Sequence, residues 1–225
     1  MHLLFQKKGY RMSDIPTIKE LFDTANSLVG RMLDECSYPH EAIPKIKDYI
    51  KETVPMLDHG YREIADGVYA SKDAKIWPRV TIIGPAIIGR GAEIRPGAFI
   101  RENVIIGDGA LVGNSSEVKN SIIFNGAKLP HYNYLGDSII CYCAHMGAGS
   151  IASNLRLDKR SVMIGGMDTG LRKIGAFIGD FAEIGCNTVL CPGTVIGRGA
   201  TVYPMSRVRG ILGEKEIFRG DKQGG

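Results

Sequence analysis

Residues 74–118 read AKIWPRVTIIGPAIIGRGAEIRPGAFIRENVIIGDGALVGNSSEV. Ile76, Ile82, Ile88, Ile94, Ile100, Ile106, Val112 and Val118 follow one another in unbroken steps of six. Two positions before each stands a mostly small residue: Ala74, Val80, Ala86, Ala92, Ala98, Val104, Ala110 and Ser116. A six-residue period marks a parallel β-helix, in which each hexapeptide contributes one short strand and one corner. Three strands close a triangular coil of about eighteen residues. The aliphatic side chain fills the prism, and the small one lets the chain bend inward. Glycines such as Gly89 and Gly107 fall where the corners need a permissive backbone.

The same register returns at Ile178, Ile184, Leu190, Ile196, Val202 and Val208. Between 118 and 174 it falters: the aliphatic series runs Val118, Phe124, Leu129, Leu135, Ile140, Met146, Ala152. Residues 153–173 have no hexapeptide register, which predicts a loop that leaves the prism. An excursion of that length from a compact stack is uncommon unless it serves a function. Upstream, Ile18, Leu21, Phe22, Ala25, Leu28, Val29 and Met32 keep the 3,4 spacing of a helix face, with a Thr17–Glu20 capping box. A second apolar series follows at Ile43, Ile46, Tyr49, Ile50 and Val54. The organisation expected is a helical hairpin over 13–60, a β-helix over 64–209 and a C-terminal tail over 210–225. The hairpin should cover an end or flank of the β-helix. The polar leader 1–11 resembles no signal peptide and points to Met12 as the native start.

The 225 residues, 44% hydrophobic, suit one sizeable domain. A formal charge of +4 with no long block of like charge argues against nucleic acid as a partner. No apolar run reaches transmembrane length. Five cysteines without a CxxC pair fit a reduced, cytoplasmic chain rather than a disulfide framework or a metal centre.

The stretch KLPHYNYLGD (128–137) places His131, Tyr132 and Tyr134 where the repeat asks for small residues. With 76, 94, 112, 129 and 146 as coil starts, Arg95 and His131 share a face two coils apart, roughly 10 Å along the axis. Tyr134 should end that face, and Lys119 should open the next. Cations beside a histidine suit an anionic substrate held next to a base, because Arg and Lys bind phosphate through charge-assisted hydrogen bonds.

The run IRPGAFI…VGNSSEVKNS…KLPHYNYLGDS…MGAGSIASN (94–154) resembles the acetyltransferase domain of the bifunctional glucosamine-1-phosphate acetyltransferase/N-acetylglucosamine-1-phosphate uridyltransferases. That family carries R-P-G, V-G-N-x-x-E-x-K, H-x-x-Y-x-G-D and G-A-G-x-I-x-x-N at matching intervals. NLRLD and TGLRKIGAFIGD resemble its archaeal-type branch most. The resemblance implies a left-handed β-helix assembled as a homotrimer, with acetyl-CoA as co-substrate in a groove between subunits. It implies His131 as the general base, Glu117 as the residue that orients or polarises it, and the Ala148 N–H as oxyanion donor. Arg95, Lys119, Tyr134, His145 and Asn154 would contact the sugar phosphate. Ala148 and Arg209 would meet the coenzyme, with Arg198 and Arg207 also near its phosphates.

Two positions depart from the family pattern: His145 stands in place of an asparagine, and Asn154-Leu155 in place of Asn-Tyr. No Gly-rich nucleotide loop precedes the hairpin, so uridylyl transfer is not expected from these residues. The expected function is acetyl-CoA-dependent N-acetylation of an amino-sugar phosphate such as glucosamine-1-phosphate. The alternatives are a sugar-nucleotide-binding, non-catalytic paralogue, acyl transfer to another acceptor, and a γ-type carbonic anhydrase. The last needs three histidines around a metal, and only His131 and His145 fall in the prism.

Overall fold

The computed structural model describes residues 15–220. Residues 68–218 form a parallel β-helix of about eight coils with three faces. The first face begins at Val68–Ser71 and continues through Ala86–Ile88, Val104–Ile106, Ser121–Ile123, Ile139–Ile140, Ala176–Ile178 and Thr194–Ile196 to Ile211–Leu212. The second carries Lys75–Ile76, Glu93–Ile94, Leu111–Asn114, Lys128–His131, His145–Met146, Glu183–Ile184, Thr201–Val202 and Ile217–Phe218. The third carries Thr81–Ile82, Phe99–Ile100, Glu117–Lys119, Tyr134–Gly136, Ile151–Ala152, Val189–Leu190 and Arg207–Val208.

The six-residue rhythm is the packing of the prism. Ala92, Ile94, Ala98, Ile100, Val104, Ile106, Ala110 and Val112 are all buried in one axial cluster. The expected coil starts hold through the irregular part, with Ile94 opposite Val112 and Val112 opposite Leu129. One step differs. Ile123, not Phe124, faces the prism, paired with Ile106 below and Ile140 above. Phe124 points the other way and meets the Phe22 ring at a centroid distance of 5.7 Å. The step from Ile106 to Ile123 is seventeen residues, one short of the repeat, and this brings Ile123 rather than Phe124 to the prism.

The first face is apolar on both sides, because alternate residues of a strand point to opposite faces. Ile87, Ile105, Ile122, Ile139, Phe177 and Val195 turn outward into a second core with the N-terminal segment. The continuous helix read over 17–33 is instead broken. Ile18–Leu21 and Gly30–Asp34 are helical, with a 3-10 turn at Thr24–Asn26 between them. The Asp23 side chain accepts the Ala25 N–H and draws the chain out of the α-helix there. Ile46–Thr53 is the longest helix of the segment. The segment covers a flank rather than an end. The N-terminal edge of the first face is covered by Tyr61–Ala65, antiparallel to Val68–Ser71.

The 153–173 excursion does not stand free in solvent. It forms a small hairpin, Met163–Ile164 on Met167–Asp168, and buries Val162 and Ile164 in the flank core. The β-helix also runs past residue 209. Ile211–Leu212 and Ile217–Phe218 continue its ladders, so the expected C-terminal tail is in part a further coil. That coil is two residues short of the repeat, which hid it from a six-residue count. Met12 and the leader lie outside the described residues. No described helix is long and apolar enough to cross a membrane.

Candidate active site

Successive coils share a corner between the second and third faces, formed by Gly97, Ser115, Tyr132, Gly149 and Asn187, all with positive φ. His131 immediately precedes this corner and is exposed, as is Tyr132. The corner is held rigidly. The His131 N–H donates to Asn133 Oδ1 at 3.1 Å, and the His131 carbonyl accepts the Gly149 N–H at 3.0 Å. Buried Asn133 in turn donates from Nδ2 to the Gly147 carbonyl at 2.8 Å. The imidazole is thus presented outward from a fixed backbone, a geometry suited to a positioned acid or base.

Tyr134 opens the third face instead of ending the second, so Glu117, Lys119 and Tyr134 lie on one face. Glu117 stands directly opposite Tyr134 on the neighbouring coil. The Glu117 carboxylate accepts a hydrogen bond from Arg101 Nη1 at 3.1 Å, and within the protomer it serves that guanidinium, not His131. Lys119 Nζ lies 3.8 Å from Glu102, which also meets Arg101 at 3.7 Å. Asn154 donates to one Asp137 oxygen, while Asn120 donates to the other at 2.8 Å. Burial pushes the Tyr134 phenol above its ordinary value, and the Glu117 and Asp137 charges push the same way. Polar residues from four consecutive coils therefore line this face in two bonded groups, one of Arg101, Glu102, Glu117 and Lys119 and one of Asn120, Asp137 and Asn154.

The remaining expected residues are dispersed. Arg95 shares the second face with His131, two coils away, and donates from Nε to Glu93 at 3.3 Å. His145 Nδ1 lies 2.9 Å from Glu183 Oε2 on the same face. Ala148 occupies the corner one coil above His131, and its carbonyl accepts the Asn187 N–H at 2.8 Å. Arg207 and Arg209 are exposed on the last coils. Arg198 is committed elsewhere, donating to the Lys19 carbonyl at 3.1 Å beside Asp180. Sequence reasoning missed Arg101, Glu102 and Asp137; no repeat irregularity marks the first two, and only the register shows that they meet Glu117 and Lys119. Among the described residues no three His, Cys, Asp or Glu side chains stand close enough to hold a metal.

Residues 82–167 match the family model of the GMPPB C-terminal domain, and residues 175–210 match that of the bacterial transferase hexapeptide, six repeats. A bifunctional sugar-1-phosphate nucleotidylyltransferase/acetyltransferase of Sulfurisphaera tokodaii is 40% identical over 107 residues, 46% of this chain and 27% of that protein. A bifunctional protein GlmU of Methanococcus vannielii is 37% identical over 197 residues, 84% of this chain and 45% of that protein. The chain thus spans less than half the length of these relatives. A solved UDP-N-acetylglucosamine O-acyltransferase from Moraxella catarrhalis is 14% identical with a TM-score of 0.45, covering 68% of this chain and 66% of the other.

Proposed function

We propose that this hexapeptide-repeat chain, related to the acetyltransferase part of the bifunctional nucleotidylyltransferase/acetyltransferases, transfers an acetyl group from acetyl-CoA to the amine of an amino-sugar phosphate such as glucosamine-1-phosphate. The carrying observation is the set of side chains that packing does not require. His131 stands on its fixed corner, and Glu117, Lys119, Tyr134 and Asn154 are gathered on the adjoining face. The Sulfurisphaera tokodaii relative, whose name includes acetyltransferase, supports the same chemistry.

In this reading the His131 imidazole takes the proton from the attacking amine. The Ala148 N–H, which donates to no backbone acceptor among the described residues, stabilises the oxyanion of the thioester adduct; such donors contribute about 3–4 kcal/mol. The new amide bond forms as the carbon–sulfur bond breaks, and coenzyme A leaves as a thiol. Lys119, Arg95, Tyr134, His145 and Asn154 bind the sugar phosphate, and Arg209 meets the coenzyme. Glu117, hydrogen-bonded to Arg101 in the free chain, orients or polarises the His131 imidazole, and the chain works as a homotrimer with the coenzyme between subunits. Unpaired cysteines fit a reducing compartment, and we assign the reaction to the cytoplasm.

The test is free-thiol release from acetyl-CoA with glucosamine-1-phosphate, comparing the native chain with His131→Ala. A loss of about a hundredfold or more supports the assignment of the base. No turnover with any amino-sugar phosphate, in a correctly folded assembly, replaces this reading by that of a binding paralogue.

A further inference from the structure

A cleft of about 690 Å³ opens where three separate parts of the chain meet. Its floor is the corner between the third and first faces, marked by Asn120 and Asp137. Ile43 and Pro44 of the N-terminal segment form one side, and the two ends of the 153–173 excursion, at Leu155 and Lys159 and at Leu171–Lys173, form the other. The volume falls within the range of sites for small organic ligands, and junctions between structural units are where such sites concentrate. The cleft is distinct from the His131 corner, although Asp137 at its floor accepts from Asn154, an expected substrate contact.

Its lining has two halves. Lys159, Arg172 and Lys173 contribute three cations, all exposed. The neighbouring carboxylates, Asp137 and Asp158, are already engaged. Asp137 is buried and accepts from both Asn120 and Asn154. Asp158, the acid next to Lys159, is clasped by Arg156 at 2.9 Å from Nε and 2.5 Å from Nη2. Among the described residues no carboxylate lies within ion-pair distance of Lys159, Arg172 or Lys173. Arg172 is anchored by donating from Nε to the Lys159 carbonyl at 3.3 Å, which keeps both residues at the same rim. The other half is aliphatic, with Leu155 and Leu171 facing Ile43 and Pro44.

An inorganic anion would satisfy the cations and leave the aliphatic walls wet. A purely apolar ligand would desolvate three unpaired cations, which is costly. We propose that this cleft binds a nucleoside diphosphate moiety, its phosphates on Lys159, Arg172 and Lys173 and its planar base between the aliphatic walls. Arg and Lys donate charge-assisted hydrogen bonds to phosphate, and an aliphatic slot accepts a flat ring by area burial. The ordered excursion then has a purpose: it closes one side of a second site. A nucleotide-linked sugar and the nucleotide half of coenzyme A share this chemistry. A nucleotide-sugar occupant stands independently of acetyl transfer, whereas a coenzyme occupant rests on that reading.

Titration calorimetry of the full chain in its native assembly would use three probes: uridine diphosphate, adenosine 3′,5′-bisphosphate and inorganic pyrophosphate. At least one nucleotide should saturate below about 1 mM and bind about tenfold more tightly than pyrophosphate. Preference for uridine diphosphate identifies a nucleotide-sugar source, and preference for the bisphosphate identifies the coenzyme. Arg172→Glu and Lys173→Glu should each weaken nucleotide binding by about tenfold or more. Lys215→Glu, an exposed site on a distant coil, should not. Arg172→Gln serves as the milder variant if charge reversal disturbs the loop. Pyrophosphate binding equal to that of the nucleotides overturns the proposal, as does affinity unaffected by the rim variants. Absence of saturation in the millimolar range overturns it too.

Discussion

Asp180 accepts the Asp23 N–H at 2.8 Å on one carboxylate oxygen, joining residues 157 apart in sequence. Its other oxygen accepts the Tyr142 N–H at 3.1 Å, and Arg198 stands 3.6 Å away. One buried carboxylate thus fastens the N-terminal segment to the β-helix at the point where the first helix ends. Burial raises its pKa above the ordinary carboxylate value, outweighing the two N–H donors and Arg198, which pull it down.

The sign of the resulting pH dependence is the reverse of the usual acidic case. A carboxyl group whose folded pKa lies above its unfolded one binds its proton more tightly when folded. Its contribution is fully present below the unfolded value and is lost as pH rises through the folded value. Asp180→Asn should remove that slope from the acid side of a urea-midpoint profile. At neutral pH it should also cost about 1–3 kcal/mol, because the amide NH2 cannot accept the second backbone N–H. An unchanged acid-side slope would show that the carboxylate titrates as it does in the unfolded chain.

Glu117 and Tyr134 supply a second electrostatic test. The phenol is raised first by burial and then by the Glu117 charge one coil away. Glu117→Gln should therefore lower the Tyr134 pKa while leaving the burial contribution in place. Carbon-13 labelling of the tyrosine ring carbon that bears the hydroxyl would follow this by NMR. Acetyl transfer should fall in the same variant, with little change in thermal midpoint, because an ion pair as accessible as Arg101–Glu117 contributes about 0–1 kcal/mol to stability.

The fold was legible because a β-helix repeats one physical demand, an aliphatic residue facing a narrow prism, every six positions. The series from Ile76 to Val118 needs no tertiary information to be read. Reading failed where that demand was met by something other than spacing. SIIF (121–124) offers two adjacent aliphatic residues and an aromatic one, and only the pairing of Ile123 with Ile106 and Ile140 shows which of them enters the prism. The break after Leu21 is a local competition won by the Asp23 side chain, which helical periodicity does not register. At the candidate site, His131 and Tyr134 were visible as violations of the repeat. The link of Glu117 to Arg101 was not, since it depends on lateral reach between coils. The packing of Val162 and Ile164 onto the flank was likewise invisible, because two apolar residues in a polar loop carry no period.

Ile105 and Ile106 are neighbours that belong to different cores. Ile106 lies in the prism, and Ile105 lies under the N-terminal segment. Either residue changed to Ala should destabilise by about 2–5 kcal/mol, since both are fully buried. Hydrogen exchange distinguishes them. Ile106→Ala should weaken protection in the strands above and below it, because each coil rests on its neighbours. Ile105→Ala should weaken protection in Ile46–Thr53 and leave the second and third faces intact. Equal loss everywhere in both variants would mean that the two cores open as one unit.

Gly113 lies beneath Pro130, the residue before His131. A methyl group at position 113 would meet the Pro130 carbonyl oxygen at 1.6 Å, its carbon at 2.0 Å and its Cα at 2.5 Å. All three are backbone atoms, so no side-chain rotation relieves the clash, and the strand Lys128–His131 must move. Gly113→Ala should therefore act twice. It should destabilise by about 3 kcal/mol, at the upper end for overpacked positions, and it should displace His131 and depress turnover well beyond that loss of folded protein. Gly109→Ala is the matched control. Gly109 has φ +63 with open space around its added methyl, so it carries only the backbone cost of about 1 kcal/mol. Thermal midpoints and turnover per folded molecule separate the two effects. A Gly113→Ala protein as active and as stable as the Gly109→Ala control would show that the His131 corner adapts to the coil beneath it, and the rigid presentation of the base would have to be abandoned.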